Sequence, residues 1–172
     1  MNELLEDLRA YDGKALTILG EIQARQGSRS TYVADIVALT ASTEAHVSDG
    51  ATWLLKAYLE GGGTLSAAAT RRLFDSLEQV TAWQAQLHLC QMMEYLNVAA
   101  TQASAVATWL KPLLQHKRPF LRAWSMSALQ HLAARHPAFA ADAEVALKAA
   151  AIDGAGSVRA RARFFRVEVS DR

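Results

Sequence analysis

Apolar residues recur three and four positions apart along most of this chain, the spacing that aligns one face of an α-helix. Leu4, Leu8 and Tyr11 begin the pattern, followed by Ala15, Leu19 and Ile22. Val33, Ile36, Val37 and Thr40 continue it, and Ala69, Leu73, Leu77 and Val80 repeat it. Two further stripes are Val106, Trp109, Leu110, Leu113 and Leu121, Trp124, Ala128, Leu132. Phe139, Ala143, Ala146, Leu147 and Ala150 form the last. The breaks are short and carry helix-stop or cap chemistry: Gly27-Ser28, "GGGTLS" at 61–66, "HP" at 136–137 and "DGAG" at 153–156. Pro119 falls where a helix begins, a position at which its missing N–H costs nothing. Only "FFRVEVS" (164–170) has the look of a short strand. The pattern predicts an all-α protein with Leu73, Leu77, Leu110, Leu113, Leu121, Leu129 and Leu132 in its core.

The stripes also repeat at longer range. "YDGKALTILGEI" (11–22) and "SDGATWLLKAYL" (48–59) share an Asp-Gly pair before an apolar helix, 37 residues apart. "WQAQLHLCQMMEYL" (83–96) aligns with "LRAWSMSALQHL" (121–132) at an offset of 38, Ala85 on Ala123. "VRARARFF" (158–165) aligns with "LRAWSMSA" at 37, Arg159 on Arg122. Units of this period, each holding two helices, predict an α-solenoid, because short helices bury a face only when pairs stack. Repeats are expected at about 2–26, 30–60, 66–97, 102–135 and 138–168, within one domain spanning 1–172. Helices should pair as 30–42 with 46–60, 66–79 with 81–97, 102–116 with 118–135, and 138–152 with 156–168.

The stretch "DGAGSVRARARFF" (153–165) resembles the second half of a HEAT repeat, in which an Asp-containing turn leads into a helix beginning Val-Arg. Asp153, Val158, Arg159 and Ala162 stand at the matching positions, and "RPFLRAWSMSAL" (118–129) is a second copy with Leu121 and Arg122. The likeness is best over 102–168. Arg is absent from the corresponding positions of earlier units, which carry Asp12, Asp49 and Gln84. The resemblance implies a right-handed α-α superhelix of about five helix pairs, of a kind found in bacteria. It also implies that second helices line an inner, concave surface and that Arg159 belongs to an Asp/Arg ladder between repeats.

Composition narrows the functional classes. Glycine (9) and proline (3) are scarce, as a helical chain requires, and apolar residues make up 51%. One cysteine, Cys90, excludes an internal disulfide and fits a reducing compartment. The start "MNELLEDLRAYDG" is acidic and unlike a secretory leader, and no run of 18 apolar residues exists. A cytoplasmic protein with no membrane partner is expected. Charge is unevenly spread: residues 1–110 hold 7 Lys and Arg against 12 Asp and Glu, whereas 111–172 hold 11 against 5.

Candidate chemistry is sparse. On a helix, Arg159, Arg163 and Arg166 form one stripe at i, i+4 and i+7, with Arg122 one repeat earlier. Such a stripe either binds an anionic partner or belongs to the scaffold. Among the tryptophans, Trp83 opens a second helix and is a candidate partner contact, while Trp53, Trp109 and Trp124 read as core. His88 and Cys90, two apart, point about 200° apart on a helix and cannot share a metal. His131 and His136 fare little better, so no metal, cofactor or catalytic residue is assigned. Cys90 reads as a small core residue. No "GxSxG" or phosphate-loop context is present, and "EGGGTLS" reads as a helix stop. The expectation is a non-catalytic scaffold that binds a protein partner through its concave face, at Arg122, Arg159, Arg163, Arg166 and Trp83. The alternative is a nucleic-acid-binding HEAT-like protein, comparable to the alkylpurine DNA glycosylases of this architecture, using the C-terminal arginines.

Overall fold

The computed structural model describes the backbone of residues 2–170 and the side chains of residues 3–165. The fold is all-α, with ten α-helices among the described residues. They fall into two compact units, Met1–Asn97 and Val98–Arg172. The charge boundary coincides with this division, because residues 98–110 carry no charged side chain. The first 97 residues hold 7 Lys and Arg against 12 Asp and Glu, and the last 75 hold 11 against 5.

The first unit contains α1 (Asn2–Arg9), α2 (Leu16–Gln26), α3 (Tyr32–Leu39), α4 (Ala45–Glu60), α5 (Ala67–Asp75) and α6 (Trp83–Met92). Stacking is pair upon pair: α1 lies on α3 and α2 on α4, then α3 on α5 and α4 on α6, with α3 paired to α4. α5 and α6 pack on these neighbours rather than on each other, unlike the expected pairing of 66–79 with 81–97. The connection between its two helices contains a 3-10 turn, Leu77–Gln79, whose Leu77 is buried together with the following Val80. Ser66 caps α5 by accepting the Ala69 N–H, which explains why "GGGTLS" ends one helix and starts another.

The second unit contains α7 (Ala100–Leu113), α8 (Pro119–Arg135), α9 (Ala140–Ala151) and α10 (Gly156–Ser170). α7 packs on α8, and both α9 and α10 pack on α8 and on each other. Pro119 occupies the first turn of α8, as its sequence position requires. His136 reaches back to the Val98 carbonyl at 2.9 Å and ties the turn after α8 to the approach of α7. Stretch 164–170 is the end of α10, not a strand. Its β-branched residues follow three turns of established helix, so propagation outweighs their local preference. Each of the seven predicted core leucines is buried. Cys90 is also buried, and burial pushes its thiol up. All four tryptophans are only half-buried, so none belongs wholly to the core.

The helical register corrects one sequence alignment. α4, α6, α8 and α10 begin at residues 45, 83, 119 and 156, steps of 38, 36 and 37, but α2 begins at 16, only 29 before α4. Asp12-Gly13 is a turn, with Gly13 at φ 75°, whereas Asp49-Gly50 lies inside α4. The two Asp-Gly pairs do different work. A Cβ on Gly50 would stand 2.7 Å from Leu8 Cδ2 and 3.3 Å from Leu19 Cδ2 and Tyr11 Cδ1. Gly50 is the spot where the first pair settles closely onto α4.

Asp49, one residue earlier and about 100° round the helix, serves α6 instead. Its Oδ1 accepts the Ala85 N–H at 2.9 Å, near the start of α6, whose own Ala82 offers no side-chain cap. One turn on, Thr52 Oγ1 and His88 Nδ1 share a 3.0 Å hydrogen bond. Burial, reinforced by the nearby Lys56 ammonium, brings the His88 imidazole down to about 4. Burial also raises Asp49 above its ordinary range, against the pull of the Ala85 amide.

Two expectations follow. Gly50→Ala should lose about 1–2 kcal/mol in urea melts, because overpacking against buried Leu8 outweighs the gain in helix propensity. The control Gly20→Ala in α2, where a Cβ meets nothing within 4 Å, should be neutral or stabilising. For His88, the folded state binds its proton less readily than the unfolded chain. Its contribution is therefore intact above 6.5 and is lost as pH falls towards 4, by about 3 kcal/mol in total. His88→Gln can keep a hydrogen bond to Thr52 and should remove that share of the slope. Asp49, raised rather than lowered, contributes with the opposite sign in the carboxylate range, and it is common to both proteins.

Candidate functional site

The repeat register reappears in the second unit as hydrogen bonding. Arg122, in the first turn of α8, lays one edge of its guanidinium on Asp153, in the loop before α10. Nε meets Oδ2 and Nη2 meets Oδ1, both at 2.8 Å. Its Nη1 donates to the carbonyls of His116 (2.8 Å) and Lys117 (3.3 Å), six and five residues earlier. Asp153 Oδ1 also accepts the Ala155 N–H at 2.8 Å. The Arg122 guanidinium, helped by that amide, holds the Asp153 carboxyl at about 2, and Arg122 is itself raised. Paired edge to edge and mostly buried, the two side chains form the strong, bidentate kind of contact. This is an Asp/Arg rung between successive helix pairs.

Arg159 is placed otherwise than a rung within the described residues. Its Nη1 donates to the carbonyls of Asp153 (2.6 Å) and Gly154 (2.9 Å), so it closes the loop preceding its own helix. Arg163 is exposed on α10. Arg166 lies in the same helix, and its side chain falls outside the described residues. Trp83 begins α6 in the first unit and is half-buried there.

Sequence reasoning passed over the residues beside the arginine stripe. Arg161 lies between α10 and α8, its guanidinium 3.9 Å from the centroid of the Trp124 ring. Its Nε and Nη2 donate to Ser127 Oγ at 3.2 and 2.8 Å. Phe164 and Phe165 flank it at 4.9 and 5.4 Å. Phe120 and Phe164 stand at the surface, 59% and 49% exposed, on either side of a shallow depression of about 360 Å³. Ala123, Ser157 and Ala160 form its small-residue floor. The signal was in the repeat. At the offset of 37, Trp124 matches Arg161 and Phe120 matches Ser157, so one face of α8 continues onto α10.

Other candidates are spoken for. His131 meets the Phe165 ring edge-on at 5.5 Å, His136 bonds Val98 and His88 bonds Thr52. Among the described residues no group of three or more potential metal ligands assembles. None of their helices is long and apolar enough to cross a membrane. An apolar groove of about 260 Å³ runs between α7 and α9 over Met126 and Leu129, with the Arg122–Asp153 pair in its wall. No family model matches the chain, and no curated protein and no solved structure matches it either. The architecture, stacked helix pairs in each unit, is that of a helical-repeat protein.

The rung can be tested by substitution. Arg122→Ala should cost about 1–3 kcal/mol in denaturant melts near neutral pH, because Asp153 loses its partner while still shielded from water. Asp153 sits below its unfolded value of 3.8, so the stability it contributes is present above that pH and fades as pH falls towards 2. The cost of Arg122→Ala should shrink over the same interval. Arg163→Ala, at an exposed position, should stay within about 0.5 kcal/mol of the parent.

Proposed function

We propose that this chain is a non-catalytic protein-interaction module built as a HEAT-like solenoid, with its helix pairs following a right-handed course and its second helices forming the binding face. The observation that carries this reading is the patch on α8 and α10. Two large aromatic side chains, Phe120 and Phe164, are left in water beside Trp124 and Arg161. Aromatic side chains and arginine are the residues that dominate protein interfaces, and adjacent exposed apolar side chains are costly to keep without a use.

The alternative, a grip on nucleic acid, has less to work with than the sequence promised. Of the four arginines put forward for it, Arg122 spends both edges of its guanidinium on Asp153 and on backbone carbonyls, and Arg159 commits its Nη1 to the carbonyls of its own loop. A polyanion would have to compete with a bidentate carboxylate for Arg122. We accordingly propose a protein partner, and the single cysteine suits the cytoplasmic setting proposed for the module.

Capture from a lysate of the source organism, at low and high salt, tests both readings. The parent protein should retain a partner that a Phe120→Ser, Phe164→Ser double variant loses, with the thermal melt of the double variant unchanged within a few degrees. Retention by the double variant would remove the patch from the function. Tight, salt-sensitive binding of duplex or single-stranded DNA by the parent would transfer the assignment to nucleic acid.

A further inference from the structure

Arg122 and Arg159 occupy the same place in successive repeats, and the structure shows what each does with it. Both donate Nη1 to the carbonyls six and five residues earlier, at 2.8 and 3.3 Å for Arg122 and 2.6 and 2.9 Å for Arg159. That clamp holds each guanidinium against its own loop in the same manner. The remaining edge of Arg122, Nε and Nη2, is filled by the two oxygens of Asp153. The same edge of Arg159 carries no bond among the described residues. Arg159 thus presents a ready-made fork for a carboxylate, and Arg122 shows the geometry in which one is received.

The carboxylate that Arg122 receives is itself held in a distinctive way. Asp153 precedes a glycine, stands in the loop before a second helix and accepts the N–H two residues on through Oδ1. Asp12 repeats each of these features. It precedes Gly13, stands before α2, and its Oδ1 accepts the N–H of Lys14 at 2.9 Å and of Ala15 at 2.8 Å. Its Oδ2 carries no bond among the described residues. The Ala15 and Lys14 amides lower its carboxyl, so it stays anionic at neutral pH. In the corresponding turn before α8 the position is filled by His116, whose Nδ1 takes the Arg118 N–H. Asp12 and Asp153 therefore share a single mode of presentation.

We infer that Arg159 is a carboxylate-binding site and that its occupant is Asp12 of a second copy of this chain, so that copies associate by extending the Asp/Arg rung from one molecule to the next. Long-range charge favours the encounter. The unit carrying Asp12 bears a formal −5 and the unit carrying Arg159 bears +6, from the 7 against 12 and 11 against 5 counted above. A large apolar side chain lies exposed in each of the two regions: Leu16 (53%) at the start of α2, four residues after Asp12, and Ile152 (85%) beside Asp153, whose carbonyl Arg159 holds. Together they supply the apolar contact that an ion pair alone lacks. This inference rests on residues other than Phe120 and Phe164 and stands apart from the partner-binding reading.

Sedimentation velocity over a wide concentration range, at low and high salt, tests it on the whole chain. The parent should associate with rising concentration, and less so in high salt. Arg159→Asp alone and Asp12→Arg alone should each weaken association at least about tenfold, since each sets like charges face to face. An equimolar mixture of the two should associate again to within a few-fold of the parent, because every mixed contact restores an opposite pair. Heat melts establish that each variant is folded. If Arg159→Asp is not, Arg159→Gln and Asp12→Asn take their place, and both should weaken association. A parent that stays monomeric throughout overturns the inference. So do variants that associate like the parent, or charge-reversed proteins that fail to associate when mixed.

Discussion

A helix of eight to seventeen residues with one apolar stripe cannot keep that stripe from water by itself, nor can two such helices joined by a short loop. The structure depends on this constraint. In each unit, second helices are laid side by side, α2 and α6 on α4 and α10 on α8, and apolar burial supplies the non-directional part of the attraction. What burial cannot supply is register. A helix face lined with alanine and leucine would tolerate a shift of a turn, and the shift is prevented by hydrogen bonds that have only one solution. Asp49 on the Ala85 amide, Thr52 on His88 and Arg122 on Asp153 are those bonds. Each joins residues 31 to 36 apart, one repeat along the chain.

The same constraint decides how the buried polar groups are used. A buried carboxylate or imidazole between helices must be satisfied or it costs more than the packing around it returns. Asp49 and His88 would look like a catalytic pair on the strength of their shifted protonation alone. Their partners, an amide at a helix start and a threonine hydroxyl, are those of a structural lock. Phe120 and Phe164, which remain in water at the surface of α8 and α10, have no such structural task. They are where an interaction is to be sought.

Much of this fold was legible in the chain. The three-and-four spacing gave the helices, the cap and stop residues gave their ends within a few positions, and all seven leucines assigned to the core are in it. The offset of 37 between Arg122 and Arg159 proved to be physical, since both make the same pair of carbonyl bonds. Local readings failed where a residue type was trusted without its surroundings. Asp-Gly is a turn at 12–13 and part of a helix at 49–50, and "FFRVEVS" is helical because a helix already runs into it. Trp53, Trp109 and Trp124, read as core, are only half-buried.

What the sequence determined by itself is periodicity: which residues turn inward, how long each helix runs, and how far apart equivalent positions fall. These are properties of neighbours in the chain, fixed by backbone geometry and by the sorting of apolar from polar side chains. The tertiary structure alone decided how like residues were used. Four arginines in α8 and α10 look alike in the sequence, yet Arg122 bridges two repeats, Arg159 closes its own loop, Arg161 stacks on Trp124 and Arg163 meets water. A guanidinium reaches far enough to choose among carboxylates, carbonyls and rings. The choice depends on atoms 30 or more residues away, such as Asp153 for Arg122 and Ser127 for Arg161, which only packing brings within reach.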